Sequence, residues 1–198
     1  MTVGLYFGSF NPIHNGHLII ANHMKENEGL DAVWFVVSPQ NPFKQENTLL
    51  NVNHRIHLIQ LCIDGETGFS VSNIEVKLPK PSYTINTLVY LSERFPKNEF
   101  KIIIGSDGFQ NIDKWKNANE IISNYSFIIY LRPGFEKIIH PYANYKIADA
   151  PFLNISSTHI RNMIKNKKSI RYLVPDVIKD EIEIQGYYYS ELENPTQQ

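Results

Sequence analysis

The chain has 198 residues, a length at which a single domain with one hydrophobic core is the default. Its 19 Lys and Arg side chains nearly balance its 20 Asp and Glu side chains, so a net charge of -1 provides no excess field to attract nucleic acid or an acidic membrane surface. Cys62 is the only cysteine, which excludes an internal disulfide and a zinc site built from several cysteines.

In chain order, short β-rich runs alternate with helical patterns. The first half predicts strands over 3–7, 32–37 and, more weakly, 69–74, with helices over 18–25 and 53–64 between them. Thr84 is predicted as the N-cap of a helix that Pro96 ends, and strands follow over 100–104 and 125–131. Ser157 or Thr158 begins another predicted helix, and Pro175 is predicted in the first turn of the last one.

The strand runs are almost continuously apolar, which is typical of strands covered on both faces. We therefore expect an α/β fold, a Rossmann-like parallel sheet with helices on both faces, formed as a single domain over residues 1–190. The polar residues 191–198 are predicted to be a frayed tail. Ligands of such sheets bind beyond the carboxyl ends of the strands, so functional residues are sought directly after each strand.

The start of the chain carries no targeting signal. Met1 to Phe7 is a short apolar run without a leading basic region, and polar residues follow directly. A membrane span needs about 20 apolar residues. Together with the cysteine content, this predicts a cytoplasmic protein with no membrane partner.

The first loop, residues 8–17, contains the clearest candidate site. Gly8 and Gly16 allow close backbone approach to a ligand, and the loop leads into a helix whose first N–H groups can bind an anion. His14 and His17 lie three residues apart across that helix start, so both rings can reach one phosphate. Turn glycines with two surface histidines are the alternative, but the position directly after a first strand favours the phosphate interpretation.

The sequence argues against a metal site and against a nucleophilic cysteine. A metal site on His14, His17 and His23 lacks the Cys or carboxylate partners, or the His-x-x-x-His face, that zinc usually requires. Cys62 lies among leucines and isoleucines and is predicted to be a core residue rather than a nucleophile.

A second candidate element lies near the C-terminus, at residues 154–161. Ser156 or Thr158 can simply cap a helix. Arg161 falls one turn further on, where a guanidinium beside free hydroxyls can hold a polyphosphate through two N–H groups. The pairing of this element with the first loop is more specific than either element alone.

Gly-Ser-Phe-Asn-Pro-x-His-x-Gly-His in the first loop, with Ile-Ser-Ser-Thr-x-Ile-Arg at residues 155–161, resembles the nucleotidyltransferase superfamily that transfers AMP or CMP. Over nearly its whole length the chain is similar to the bacterial nicotinate-nucleotide adenylyltransferases within it. The stretches at 81–88, 103–107, 131–134, 172–175 and 186–188, with Trp115, also resemble that family.

The resemblance implies transfer of the adenylyl group of ATP to nicotinate mononucleotide, with Mg²⁺ carried on the ATP and no metal cage in the protein. His17 is expected to stabilise charge on the α-phosphoryl oxygens, while His14, Arg161 and Lys44 bind the β and γ phosphates. The implied ATP-binding residues are Gly8, Ser9, Phe10, Gly16, Gly105, Asp107, Ser156, Thr158 and Ile160. Thr84, Trp115 and Lys44 are implied for the mononucleotide. For Asp107, a turn or cap role remains open beside a role near adenosine or the metal.

Three departures from the family pattern concern Asn11 and Asn86, where Asp is frequent, and Phe43, which stands where a His commonly precedes Lys44. None of them changes His14, His17 or Arg161, so they bear on substrate contacts more than on the type of reaction.

The sequence also bears on other functions that an α/β domain could have. An NAD-dependent dehydrogenase would require Gly-x-Gly-x-x-Gly after the first strand, which residues 8–17 do not contain. A phosphopantetheine adenylyltransferase would share both phosphate elements, but the 82–87 stretch and Trp115 argue against that enzyme. A non-catalytic nucleotide-binding protein with the same fold is the other alternative, because both phosphate elements would serve binding alone. The 165–168 lysine run is predicted to be a solvated helix end rather than a nucleic-acid site. A homo-oligomer stays open.

Overall fold

In this computed structural model the described residues are 1–40 and 49–189. Their strands are β1 (Thr2–Gly8), β2 (Ala32–Val37), β3 (Phe69–Ser72), β4 (Glu99–Gly105), β5 (Ser126–Tyr130) and β6 (Tyr145–Ile147). The helices are α1 (Asn15–Asn27), α2 (Val52–Ile63), α3 (Ile74–Lys77), α4 (Thr84–Arg94), α5 (Ser106–Phe109), α6 (Ala118–Asn124), α7 (Ser157–Lys165) and α8 (Asp176–Gln185), with a 3-10 turn at Ile112–Lys114.

The strands form one parallel sheet in the order β3-β2-β1-β4-β5-β6. β1 lies at its centre, where Leu5 pairs with Trp34 on one side and with Ile102 on the other. The order reverses between β1 and β4, so the connections that leave these two strands diverge and open a crevice at their carboxyl ends. Gly8 and Gly105 end the two strands at that crevice.

Two apolar cores cover the two faces of the sheet. Helices α1, α2, α7 and α8 pack on one face, around Tyr6 and Phe35, and helices α3 to α6 pack on the other, around Leu5 and Ile102. Adjacent residues of β1, Leu5 and Tyr6, thus face opposite cores, as the two-residue period of a strand requires. The predicted Rossmann-like parallel sheet with helices on both faces is confirmed.

Several local predictions were wrong by one or a few residues. Thr84 is the first residue of α4 rather than its N-cap, a position that Tyr83 occupies without a side-chain bond. Pro175 is the N-cap of α8 instead of a first-turn residue. Strand β6 was missed because it has only three residues, with a lysine at its centre.

No helix within residues 1–40 and 49–189 has both the length and the apolarity needed to cross a membrane. The predicted tail 191–198 lies outside the described residues.

Candidate active site

The first loop and the start of α7 line one cavity of about 280 Å³ at the crevice. This brings together the two phosphate-binding elements that the sequence predicts, although about 140 residues separate them along the chain. The predicted residues on its wall are Gly8, Ser9, Phe10, His14, His17, Ser156, Thr158 and Arg161.

His14 is a neutral N–H donor in this wall. It is the N-cap of α1, only 3% exposed, and its Nδ1 accepts a hydrogen bond from the His17 N–H at 3.3 Å. That bond assigns the ring proton to Nε2. Burial, and then the charge of Arg132, lower the pKa of His14 to about 3. At neutral pH the ring therefore carries no charge and offers an N–H dipole to the cavity.

The His17 ring stacks on the His14 ring, with the centroids 3.6 Å apart and the planes inclined by 20°. Phe10 contacts the His17 ring edge-on at 5.0 Å. Gly16 suits this arrangement, because a Cβ there would lie 3.1 Å from the His14 ring and would press on it. At Gly8 a Cβ would approach the Phe10 ring to 2.8 Å. The two glycines thus leave room for the rings as well as for a ligand.

Helix α7 is tied to the first loop by two side chains. Arg161 donates from Nη1 to the Asn11 carbonyl at 2.8 Å and from Nη2 to the Thr158 hydroxyl at 3.3 Å. Ser157 donates to the Pro12 carbonyl at 2.9 Å. Ser156 is the N-cap, whose hydroxyl accepts from the His159 N–H. These two bonds fix the orientation of the guanidinium at the cavity wall.

Ile160 and Ser9, two of the predicted ATP-binding residues, differ in what they can contribute. The Ile160 side chain is buried in the core, and its N–H donates to the Ser156 carbonyl, so Ile160 positions α7. Ser9 lines the cavity, and its buried hydroxyl has no hydrogen-bond partner within the described chain.

Arg132 is a site residue that the sequence analysis did not select. It follows β5 directly, lines the cavity, and lies with Nε 3.7 Å from the Asp107 carboxylate. Burial disfavours the Arg132 cation, but Tyr130, Asp107 and Tyr6 outweigh this and raise its pKa. A search of residues after each strand would have found it, since it is the first cation beyond β5.

A larger cavity of about 540 Å³ adjoins the first one. The two share Gly8, Ser9, Tyr130 and Arg132, among others, in their walls. Its predicted members are Gly105, Asp107, Thr84 and Trp115. Asp107 lies in the first turn of α5, as its predicted turn role requires, and also lines this cavity. Lys116, beside Trp115, places its ammonium 4.3 Å from the Tyr83 ring centroid and so links the two segments.

Arg55 holds the base of the site and was also missed. Its guanidinium is 1% exposed and donates to the carbonyls of Ser9 at 2.6 Å, Ser38 at 2.8 Å, Pro39 at 3.3 Å and Leu50, through Nε, at 2.8 Å. Burial lowers its pKa to about 10. The first loop and the end of β2 are thus fixed to α2 by one side chain.

Asn11, one of the departures that the sequence resemblance raised, is built into the same framework. Its side-chain oxygen accepts from the Leu50 N–H and from the Tyr188 hydroxyl, each at 3.0 Å. Tyr188 thereby ties the end of the described chain to the first loop. The predicted contact Lys44 and the neighbouring departure Phe43 lie outside the described residues.

Comparison with known proteins agrees with this geometry. A family model described as cytidylyltransferase-like matches residues 5–163. A relative from Cytophaga hutchinsonii, named "Probable nicotinate-nucleotide adenylyltransferase", is 46% identical over 95% of this chain and 98% of its own. One of the same name from Flavobacterium psychrophilum is 46% identical over 95% and 99%.

The solved structure of Plasmodium falciparum nicotinic acid mononucleotide adenylyltransferase complexed with NaAD superimposes with a TM-score of 0.80, covering 94% of this chain and 97% of that one. Its complex with APC gives 0.79. At 20% identity these two show the shared fold. The fold and the matched residues are those of a cytidylyltransferase-like protein. Within that class, the chain belongs to the nicotinate-nucleotide adenylyltransferase family.

Proposed function

We propose that the protein transfers the adenylyl group of ATP to nicotinate mononucleotide, producing nicotinate adenine dinucleotide and pyrophosphate in NAD biosynthesis. The observation that carries the proposal is the junction of two cavities. One is walled by His14, His17 and Arg161, and the adjoining one by Thr84 and Trp115. A triphosphate in the first and a mononucleotide in the second would meet at the wall they share, and relatives at 46% identity carry the matching name.

The transfer needs positioning and charge stabilisation more than covalent help from the protein. An oxygen of the mononucleotide phosphate forms the new bond to the α-phosphorus, while the bond from that phosphorus to the bridging oxygen breaks and pyrophosphate leaves with the electron pair. His17 stabilises the α-phosphoryl oxygens. Neutral His14 and cationic Arg161 bind the leaving pyrophosphate, with Lys44 expected to join them.

Mg²⁺ fits the site as an ion carried by the nucleotide. In residues 1–40 and 49–189, no group of three His, Cys, Asp or Glu side chains converges, so phosphate oxygens and water would hold most of its coordination sphere. Asp107, a partly exposed carboxylate on the wall of the larger cavity, is placed to join them. Bound there, the ion would neutralise phosphate charge.

The test is product formation with ATP and Mg²⁺, supplying nicotinate mononucleotide, nicotinamide mononucleotide or phosphopantetheine separately. Chromatography identifies the product, and pyrophosphate release gives the rate. We expect turnover of the nicotinate form, reduced about 100- to 1,000-fold in His17→Ala. Preference for phosphopantetheine would contradict the substrate assignment, and ATP binding without turnover of any acceptor would contradict catalysis. A cytoplasmic location and a homo-oligomer remain predictions.

A further inference from the structure

The connection from β5 to β6, residues 131–144, carries a histidine that the phosphate chemistry does not use. The side chain of His140 is turned inward and is 10% exposed, while Ile139 and Tyr142 nearby are 75% and 84% exposed. This reverses the usual preference, in which apolar side chains are buried and polar ones face water. The His140 ring packs edge-on against Phe109 of α5, with the centroids 6.0 Å apart. Its burial between exposed apolar neighbours indicates that hydrogen bonds hold it there.

The two ring nitrogens of His140 have different partners. Nδ1 accepts hydrogen bonds from the backbone N–H groups of Ala143 at 3.0 Å and Tyr142 at 3.3 Å. An accepting Nδ1 is unprotonated, so the ring proton is at Nε2. Nε2 lies 3.3 Å from Oδ1 of Asp113 and donates to it. The ring therefore connects its own loop to a carboxylate 27 positions earlier in the chain.

Asp113 belongs to the segment that leads to Trp115. It lies in the 3-10 turn Ile112–Lys114, directly before that tryptophan. A second bond joins the same two parts of the chain, because Gln110 Nε2 donates to the Lys137 carbonyl at 2.9 Å. The connection after β5 thus holds the 110–115 segment at two points.

The position of this turn decides where the indole lies. The Trp115 N–H closes the turn by donating to the Ile112 carbonyl at 2.9 Å, and Trp115 lines the 540 Å³ cavity with Thr84. We propose that His140 is a positioning residue, which through Asp113 holds the turn that presents the Trp115 indole to the mononucleotide. This inference rests on the proposed function and adds to it a residue that acts from outside the cavity wall.

The alternative is that the bond contributes only to the stability of the fold. The ring is neutral and the Asp113 side chain is 75% exposed, so the bond adds little to the unfolding free energy. A role limited to stability would leave the KM values of the folded enzyme unchanged. A positioning role raises KM for the mononucleotide and spares KM for ATP, because the triphosphate is expected beside His14 and Arg161.

The experiment measures steady-state kinetics of wild type, His140→Asn, His140→Gln and Asp113→Ala with nicotinate mononucleotide and ATP. Asn places an acceptor where Nδ1 was and keeps the bonds from Tyr142 and Ala143, but it does not reach Asp113. Gln places a donor where Nε2 was. We expect His140→Asn and Asp113→Ala each to raise KM for the mononucleotide about three- to tenfold, with kcat and KM for ATP within about twofold of wild type. His140→Gln should restore most of the loss, and His140→Asn combined with Asp113→Ala should be no worse than either alone.

His57→Asn is the matched control. His57 Nε2 lies 3.4 Å from Oε1 of Glu181, so this is also a histidine–carboxylate pair, and it joins α2 to α8 on the opposite face of the sheet. Its loss should leave both KM values at those of wild type.

Trp115 also provides a measurement that needs no turnover. The chain has two tryptophans, so Trp34→Phe makes Trp115 the sole tryptophan. Trp34 packs edge-on against Phe95 and Phe100, contacts that a phenylalanine can keep in part. In this background we expect the fluorescence anisotropy of Trp115, without any ligand, to be lower when His140→Asn is added, because the turn before it is less restrained.

An unchanged KM for the mononucleotide in both His140→Asn and Asp113→Ala would overturn the inference, as would an equal rise in KM for ATP or an unchanged anisotropy. Thermal unfolding checks the fold of each variant. If His140→Asn does not fold, Asp113→Ala decides the matter, because it removes an exposed side chain. Failure of the proposed function is separate, since wild type would then not turn over nicotinate mononucleotide, while the anisotropy would still test the bond.

Discussion

Replacing Arg55 by Met should destabilise the protein by about 3–5 kcal/mol. The substitution keeps an unbranched apolar stem and removes the guanidinium that bonds the carbonyls of Ser9, Ser38 and Leu50 at 2.6–2.8 Å. At about 1.5–3 kcal/mol for each hydrogen bond to a charged group, the gross loss is about 4.5–9 kcal/mol. Met no longer incurs the cost of burying a cation, which offsets part of this loss.

Urea unfolding followed by tryptophan fluorescence measures the difference in unfolding free energy. Arg55→Lys keeps the charge but cannot span the same acceptors, so about half the loss is expected. Exposed Arg94→Met, which loses only a contact with Phe95, should stay within about 0.5 kcal/mol of wild type. An Arg55→Met protein within 1 kcal/mol of wild type would refute the reasoning that this side chain fixes the first loop.

Three further predictions concern the first loop. Between pH 7 and 5 the unfolding free energy should fall by about 2 kcal/mol because of His14, since its folded pKa of about 3 lies below the usual 6.5 and the unfolded chain binds the proton first. His14→Asn keeps a cap acceptor but has no ring to protonate. Its unfolding free energy, measured in urea, should therefore not show this decrease of about 2 kcal/mol. Gly16→Ala should lower kcat at least about tenfold, since its Cβ must displace the His14 ring, and an unchanged kcat in a folded variant would contradict this. In Arg132→Met the pKa of His14, followed by NMR, should rise above its wild-type value because a neighbouring positive charge is gone, and a lower value would be the contrary result.

The architecture and the phosphate site could be predicted because both leave local signals. Apolar runs such as 32–37 indicate strands of a parallel sheet, and the carboxyl-end rule then brings His14, His17 and Arg161 together. Arg132 carried the same signal, since it follows a strand.

Arg55, and Glu75 in the wall of the larger cavity, could not be found in this way. On a short helical pattern each is interpreted as a solvated charge, and the groups that surround each one come from other elements of the fold. Carbonyls of Ser9 and Ser38 surround Arg55, and Thr87 meets Glu75. Backbone carbonyls leave no mark in a sequence, so a buried charge that serves them is visible only after folding.

The bonds from Arg161 to Asn11 and from Tyr188 to Asn11 join residues 150 and 177 positions apart. His14 and His17, which form one half of the proposed triphosphate site, are synthesised early. Arg161, which belongs to the other half, and Tyr188 are synthesised much later. A nascent chain that stops before residue 156 contains only the first half of that proposed site. A chain that lacks Tyr188 lacks the hydrogen bond from its hydroxyl to Asn11 in the first loop. A protease that removes Tyr188 would therefore remove this hydrogen bond to the first loop and leave the bond from Arg161 to Asn11 in place.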